Sequence, residues 1–327
     1  MKALVFEEPR SAAVRELDVP TIAPDEVLVR SRNVGICHSD FELYEGRYII
    51  PVSYPIIPGH EWAGEVAEVG SGVTTLRPGD RVVGECVVNN GDDHFGFSIS
   101  GADAEYFVAT ASWLHRIPEE LSFAQGAFVE PFSVAYSAAV AAGGIDASDE
   151  VAVIGGGPIG LLCTLAAATM GGSVTLIEPQ EHRRALGLEV GARHAIDPTE
   201  GSLSEHVAET TGGRGFDVVI EAAGVPAAMA SAFPIAALAA RVVLVGIDVG
   251  GSAPVEIGLV QSKALRVRGI IGSAGLWPRT IRFMATSGVD PTPLLTATYP
   301  LGEGTAALDA ARDTSRNVKV QIEMPSA

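Results

Sequence analysis

The stretch "VAVIGGGPIG", residues 151–160, restricts the fold more than any other part of this chain. An apolar strand runs directly into Gly155-x-Gly157-x-x-Gly160, and an apolar helical pattern begins at once after it. Each glycine meets a separate need. Gly155 allows a tight turn, Gly157 lets the backbone approach a pyrophosphate, and Gly160 lets helix and strand pack closely. With Pro158 and Ile159 between them, they place free N–H groups and the positive end of a helix dipole where phosphates would lie. A bare glycine pattern of this kind also occurs in turns that hold no ligand. Here the next strand, "SVTLIEP", ends at Glu178, 18 residues beyond Gly160. A carboxylate there accepts hydrogen bonds from both ribose hydroxyls and repels a 2′-phosphate. Dinucleotide binding is expected, with NAD favoured over NADP. Arg183 and Arg184 follow closely and supply the positive charge that NADP would need.

The texture changes near residue 130. Before it, short β-rich runs such as "EVLVRSRNVGI", "WAGEVAEVG" and "DRVVGE" are separated by Gly, Pro and Asp, which predicts an antiparallel, barrel-like domain. After it, strands alternate with helices: "FDVVIEAAG", "RVVLVG" and "LRVRGIIG" read as strands and "PAAMASAFPIAALAA" as a helix. That rhythm predicts an α/β fold with a doubly wound parallel sheet. The expected organisation is a β-rich domain over 1–130, a nucleotide domain over 131–275, and a segment 276–327 that returns to the first.

Composition excludes several functions. A net charge of −18 opposes nucleic acid and anionic membrane surfaces as partners. No apolar run reaches bilayer length, and the opening "MKALVFEEPR" turns acidic too early for a signal peptide. The cysteines at 37, 86 and 163 are odd in number and form no disulfide framework, so a cytoplasmic setting is expected.

The remaining chemistry gathers around Cys37. "GICHSD" supplies Cys37, "PGHEW" supplies His60 and Glu61, and "FVEPF" supplies Glu130. Taken singly, a buried Cys is a small hydrophobe, a His is a hydrogen-bonded fixture, and a Glu before Pro is a helix-start charge. Taken together they offer sulfur, nitrogen and oxygen donors of the kind that hold catalytic zinc.

Their order and setting resemble the zinc-dependent medium-chain dehydrogenase/reductase family of alcohol and polyol dehydrogenases. The likeness runs through "GICHSD", "PGHEWAGEVAEVG", "VTTLRPGDRVV", "GADAEYFV", "EPFSVAYSA", "VIGGGPIGL" and "VVIEAAG", and so covers nearly the whole chain. It implies a GroES-like barrel for the β-rich part and a Rossmann domain for the rest. It implies that Cys37 and His60 hold zinc, with Glu61 a direct or alternating ligand. Glu130 stands at the place of a cysteine ligand in simple alcohol dehydrogenases; glutamate there marks the sorbitol-dehydrogenase branch, where it reaches zinc through a water. Asp40 would support His60, Ser39 would be the proton-relay hydroxyl, and His38 would face the cofactor phosphates. The implied reaction is zinc-assisted ionisation of a secondary hydroxyl followed by hydride transfer to the nicotinamide. Association into a dimer or tetramer through the edge strand "LRVRGII" is also implied.

The chain departs from that pattern in three places. The lobe "GECVVNNGDDHFGFSISGADAEYF" has Cys86 alone, where relatives carry four cysteines around a structural zinc, so only the catalytic zinc is expected. Glu42 replaces the histidine common five residues after the zinc cysteine, and it is either a proton carrier or a solvated charge. Tyr44, beside it, is either a lining residue of the substrate entrance or a packed aromatic. Trp277-Pro278 is kept, but Gly272 stands where sorbitol dehydrogenases have a substrate-binding arginine. The wording also resembles cyclitol and aminocyclitol dehydrogenases. A polyol, cyclitol or sugar-derived secondary alcohol is therefore the expected substrate. The alternatives are a simple secondary-alcohol dehydrogenase or carbonyl reductase, a zinc-free NADPH quinone or enoyl reductase, and a non-enzymatic nucleotide-binding protein.

Overall fold

The computed structural model describes residues 1–248, 250–273 and 275–325. The chain divides into two compact units, Met1–Glu130 with Trp277–Ala327, and Pro131–Leu276.

The second unit is built on six parallel strands. Their spatial order is His194–Ile196, Ser173–Ile177, Glu150–Ile154, Phe216–Glu221, Ala236–Leu244 and Arg266–Gly269. The chain enters at Glu150–Ile154, steps outward twice, then crosses back to Phe216–Glu221 on the other side. Ile154 is thus flanked by Ile177 and by Glu221. The strand order reverses at its carboxyl end, where the glycine turn sits and where open α/β sheets bind ligands. Val151, Ala152, Val153, Val218 and Val219 are wholly buried. Such near-continuous apolar strands belong to a parallel sheet covered by helices on both faces. The doubly wound sheet expected from the β-α rhythm is present.

One element differs from expectation. The alanine-rich run after Val225 reads as one long helix, but the helix Pro226–Ile235 stops and the strand Ala236–Leu244 begins immediately. Pro234 lies inside that last turn and cannot donate to the ladder. Parallel pairing of Ala236 with Phe216 then outweighs the helix propensity of the alanines.

The first unit carries a seven-stranded sheet. Its order is Leu295–Pro300, Lys319–Glu323, Glu26–Ile36, Glu61–Val69, Arg81–Gly84 and Leu114–Arg116, with Tyr106–Thr110 also on Glu26–Ile36. All pairs are antiparallel except the first, which needs the crossover helix Gly304–Arg312. The last strand therefore lies beside Glu26–Ile36, with Ile322 opposite Val34 and Val320 opposite Ile36. Leu4, Phe6, Val29, Phe95, Phe97, Val320 and Ile322 share one core. Each fully buried side chain of this size contributes about 2–3 kcal/mol by leaving water.

Candidate active site

The strand Glu26–Ile36 ends directly on Cys37, and the short helix His38–Tyr44 begins there with Cys37 as its extended N-cap residue. Asp40 turns back on that helix start, and its Oδ2 accepts the Cys37 N–H at 2.8 Å. Its Oδ1 lies 3.3 Å from His60 Nδ1. One buried carboxylate thus caps the helix that starts at Cys37 and lies against the ring of His60. The ladder brings the other donor in: Glu61 opens the strand Glu61–Val69 directly opposite Gly35. Only glycine fits there, because a Cβ on residue 35 would stand 2.3 Å from Glu61 Oε2.

The result is a convergence of Cys37, His60 and Glu61, with ligand atoms within 4.8 Å of one another. Sulfur, imidazole and carboxylate in this number match a catalytic zinc site, which uses three protein ligands and keeps one position open. His60 is buried, which opposes its charge, yet Asp40 and Cys37 hold its pKa well above the ordinary histidine value. The carboxylate beside Nδ1 is the kind of partner that orients a metal-binding histidine. The donor set fits the ion.

Lys319 is the residue that sequence reasoning missed. Its Nζ donates to Glu61 Oε1 at 2.8 Å and Oε2 at 2.6 Å, and to the Ile36 carbonyl at 3.2 Å. Lys319 and Glu61 are both almost fully buried, at 3% and 1% side-chain exposure. The sequence conceals it: in "VKVQI" Lys319 and Gln321 hold the polar positions of a regular alternation that reads as a solvent-facing side, yet both are buried.

Glu130 stands in the first turn of the helix Val129–Ala141. It does not belong to the three-donor group, but it lies within electrostatic reach of it. Burial pushes its pKa up to about 7, with His60 opposing the rise and Glu61 adding to it. Ser39 Oγ lies 3.5 Å from His60 Nε2, at the outer limit of a hydrogen bond. His38 is 85% exposed on the same helix. Glu42 is clasped by Arg47, whose Nη2 and Nε approach its carboxylate at 3.0 and 3.3 Å, and that hydrogen bonding lowers its pKa. Tyr44 donates its hydroxyl to the Arg10 carbonyl at 2.7 Å and packs edge-on against Phe6, with the Arg312 guanidinium over its ring. Tyr44 is therefore a packed aromatic. In the shortened lobe, the Cys86 thiol is directed to the Phe95 carbonyl.

In the second unit, Gly155 adopts φ +98°, and a Cβ there would stand 2.8 Å from the Ala223 backbone. A Cβ on Gly160 would stand 1.9 Å from the Gly155 carbonyl, whereas Gly157 faces open space. Gly157 also caps the helix Pro158–Thr169, whose first residues are Pro158 and Ile159. These glycines border a cavity of 560 Å3 lined also by Glu178, Arg183 and Ser231. Glu178 is already engaged: Oε2 accepts the Gly156 N–H at 2.6 Å, and Oε1 accepts the Gln180 N–H at 2.8 Å. Each oxygen keeps a lone pair for a ribose hydroxyl. The two arginines differ in their tasks. Arg184 binds Asp197 at 2.8 Å, and Arg183 lines the cavity.

Comparison with known proteins agrees with this architecture. Residues 23–119 match the alcohol dehydrogenase GroES-like domain, and residues 158–286 match the zinc-binding dehydrogenase domain. The sorbitol dehydrogenase of Bacillus subtilis is 33% identical over 95% of this chain and 93% of its own. The crystal structure of 2R,3R-butanediol dehydrogenase from Bacillus subtilis superposes with a TM-score of 0.92 at 30% identity, covering 99% of both chains. A Sinorhizobium meliloti protein of the zinc-binding dehydrogenase type, solved bound to NADP, gives 0.90 at 29% identity over 98% of both chains. The chain belongs to the zinc-dependent medium-chain dehydrogenase family of oxidoreductases acting on CH–OH groups, in its sorbitol-dehydrogenase-like branch.

Proposed function

We propose that this enzyme interconverts a secondary alcohol of a polyol, cyclitol or sugar derivative with the corresponding ketone, using zinc and NAD. The convergence of Cys37, His60 and Glu61 carries this reading. Zinc held there would acidify a substrate hydroxyl, and the nicotinamide would accept the hydride. The chain's own residues supply the rest. Asp40 would orient the His60 ring, Lys319 anchors Glu61, and Ser39 Oγ would pass the hydroxyl proton outward. Glu130 sits close enough to modulate the site's charge. Glu42, committed to Arg47, serves better as a loop fastener than as a proton carrier. A zinc-free quinone or enoyl reductase would have no use for this donor set. The test is metal analysis combined with cofactor reduction across polyols, cyclitols and simple secondary alcohols. About one zinc per chain and turnover of a polyhydroxylated substrate are expected, whereas metal-free protein that reduces an enone would overturn the reading.

Glu178 supports NAD as the cofactor, since its carboxylate borders the cavity and would repel a 2′-phosphate. Glu178→Ala should weaken NAD binding about tenfold or more, through loss of charge-assisted hydrogen bonds, while affecting NADP less. Titration of both cofactors checks this, and an unchanged preference would remove the carboxylate from the ribose. A homo-oligomer is supported by the outer strand Arg266–Gly269, exposed along its whole length, with Ile271 exposed just beyond it. An unpaired edge of this kind is a template for a second copy. Light scattering should give a dimer or larger, and a monomer would refute it.

A further inference from the structure

The loop between the helix His38–Tyr44 and the strand Glu61–Val69 carries an aromatic residue that the reaction as described does not use. Tyr48 lies face to face on Phe97, with centroids 4.3 Å apart and planes inclined by 7°. Phe97 is fully buried and packs in turn on the His60 ring at 4.6 Å. The chain Tyr48–Phe97–His60 thus runs from a half-buried surface ring to a candidate zinc ligand by direct contact. The loop is fastened on both sides of Tyr48. Before it, Arg47 holds Glu42 by two contacts; after it, Tyr54 donates to the Leu43 carbonyl, and Ile56 exchanges two backbone hydrogen bonds with Phe6. Tyr48 is therefore held in place by its surroundings.

Its hydroxyl has no hydrogen-bond partner among the described residues, in contrast to Tyr44 and Tyr54, whose hydroxyls are both spent on backbone carbonyls. Burial raises the Tyr48 pKa to about 12, and His60, Cys37 and Asp40 act on it electrostatically. It is a neutral donor and acceptor on a ring that reaches His60 through one intervening ring, Phe97. A half-buried hydroxyl of this kind gains most from a ligand that satisfies it.

We propose that Tyr48 is a specificity-determining residue that hydrogen-bonds a second hydroxyl of the substrate, selecting polyhydroxylated alcohols over those with one hydroxyl. The inference rests on the alcohol-dehydrogenase reading above and narrows its substrate class. A flat ring backed by Phe97 also presents an apolar face to the C–H side of a sugar-like carbon chain or ring. The departure at Glu42 then has a role of its own: its carboxylate holds Arg47, the residue next to Tyr48.

The experiment compares wild type with Tyr48→Phe on a polyol pair, xylitol and myo-inositol, and on a monohydroxy pair, 2-butanol and cyclohexanol. The Phe variant keeps the stack on Phe97, and an unchanged melting temperature verifies this. Loss of one neutral hydrogen bond should lower kcat/KM for the better polyol on the order of tenfold, mainly through KM, and leave the monohydroxy pair within about twofold. Equal changes on both pairs, or no change on the polyol, would overturn the role of Tyr48. A wild-type enzyme active only on the monohydroxy pair would do the same while sparing the dehydrogenase reading. Inactivity of wild type on all four, with zinc and NAD present, would instead fell that reading itself.

Discussion

Cys37→Ser should strip the protein of most of its zinc and abolish turnover while leaving NAD binding intact. A serine hydroxyl remains protonated near neutral pH and offers no soft thiolate, so the three-donor set of Cys37, His60 and Glu61 falls to two effective ligands. Electrophilic assistance by a metal is worth several kcal/mol, so kcat should fall about a thousandfold or more. The nucleotide cradle is unaffected, since Gly155, Gly157, Gly160 and Glu178 all lie in the unit Pro131–Leu276 and Cys37 in the other. Metal analysis should therefore give well under one zinc per chain, with near wild-type affinity for NAD. Retained activity would remove Cys37 from the metal. Loss of NAD binding would show that the substitution had damaged the fold rather than the site.

The features legible in the sequence are those whose physics is local. The turn at 155–160 is dictated by what a Cβ would strike, and residues next in sequence specify that requirement. The pairing of Cys37 with Asp40 is likewise a local matter of one helical turn. The approach of His60 and Glu61 to Cys37 is not local; it depends on the register that sets Glu61 opposite Gly35, which no neighbouring residue specifies. Lys319 comes from a strand 258 residues beyond Glu61, so nothing near either residue announces the pair. The same holds for Tyr48 and Phe97, whose stacking depends on how a 16-residue loop over 45–60 folds back. Tyr44 and Glu42 break a pattern, yet both are fastened to arginine residues, Tyr44 to Arg10 and Arg312 and Glu42 to Arg47. A broken pattern marks where a chain differs, and the packing decides which neighbour benefits.

Lys319→Met should produce the largest loss of stability of any single change around the site. Burial disfavours the Lys319 charge, and Glu61 and Cys37 hold its pKa above the ordinary lysine value all the same. Removing that ammonium leaves the Glu61 carboxylate nearly inaccessible to water, with the Ile36 carbonyl also losing its donor. Breaking one side of a buried pair costs about 3–5 kcal/mol, which for a chain of this size lowers the melting temperature by about 10 °C. The double variant Lys319→Met/Glu61→Gln removes both charges and should recover part of that loss, because an unpaired neutral amide costs less to bury than an unpaired carboxylate. Melting curves of the metal-free single and double variants make the comparison free of ligand stabilisation. A single variant as stable as wild type would show that Glu61 finds another partner. In that case the anchoring of Glu61 would have to come from the metal itself, and Lys319 would have no structural share in the site.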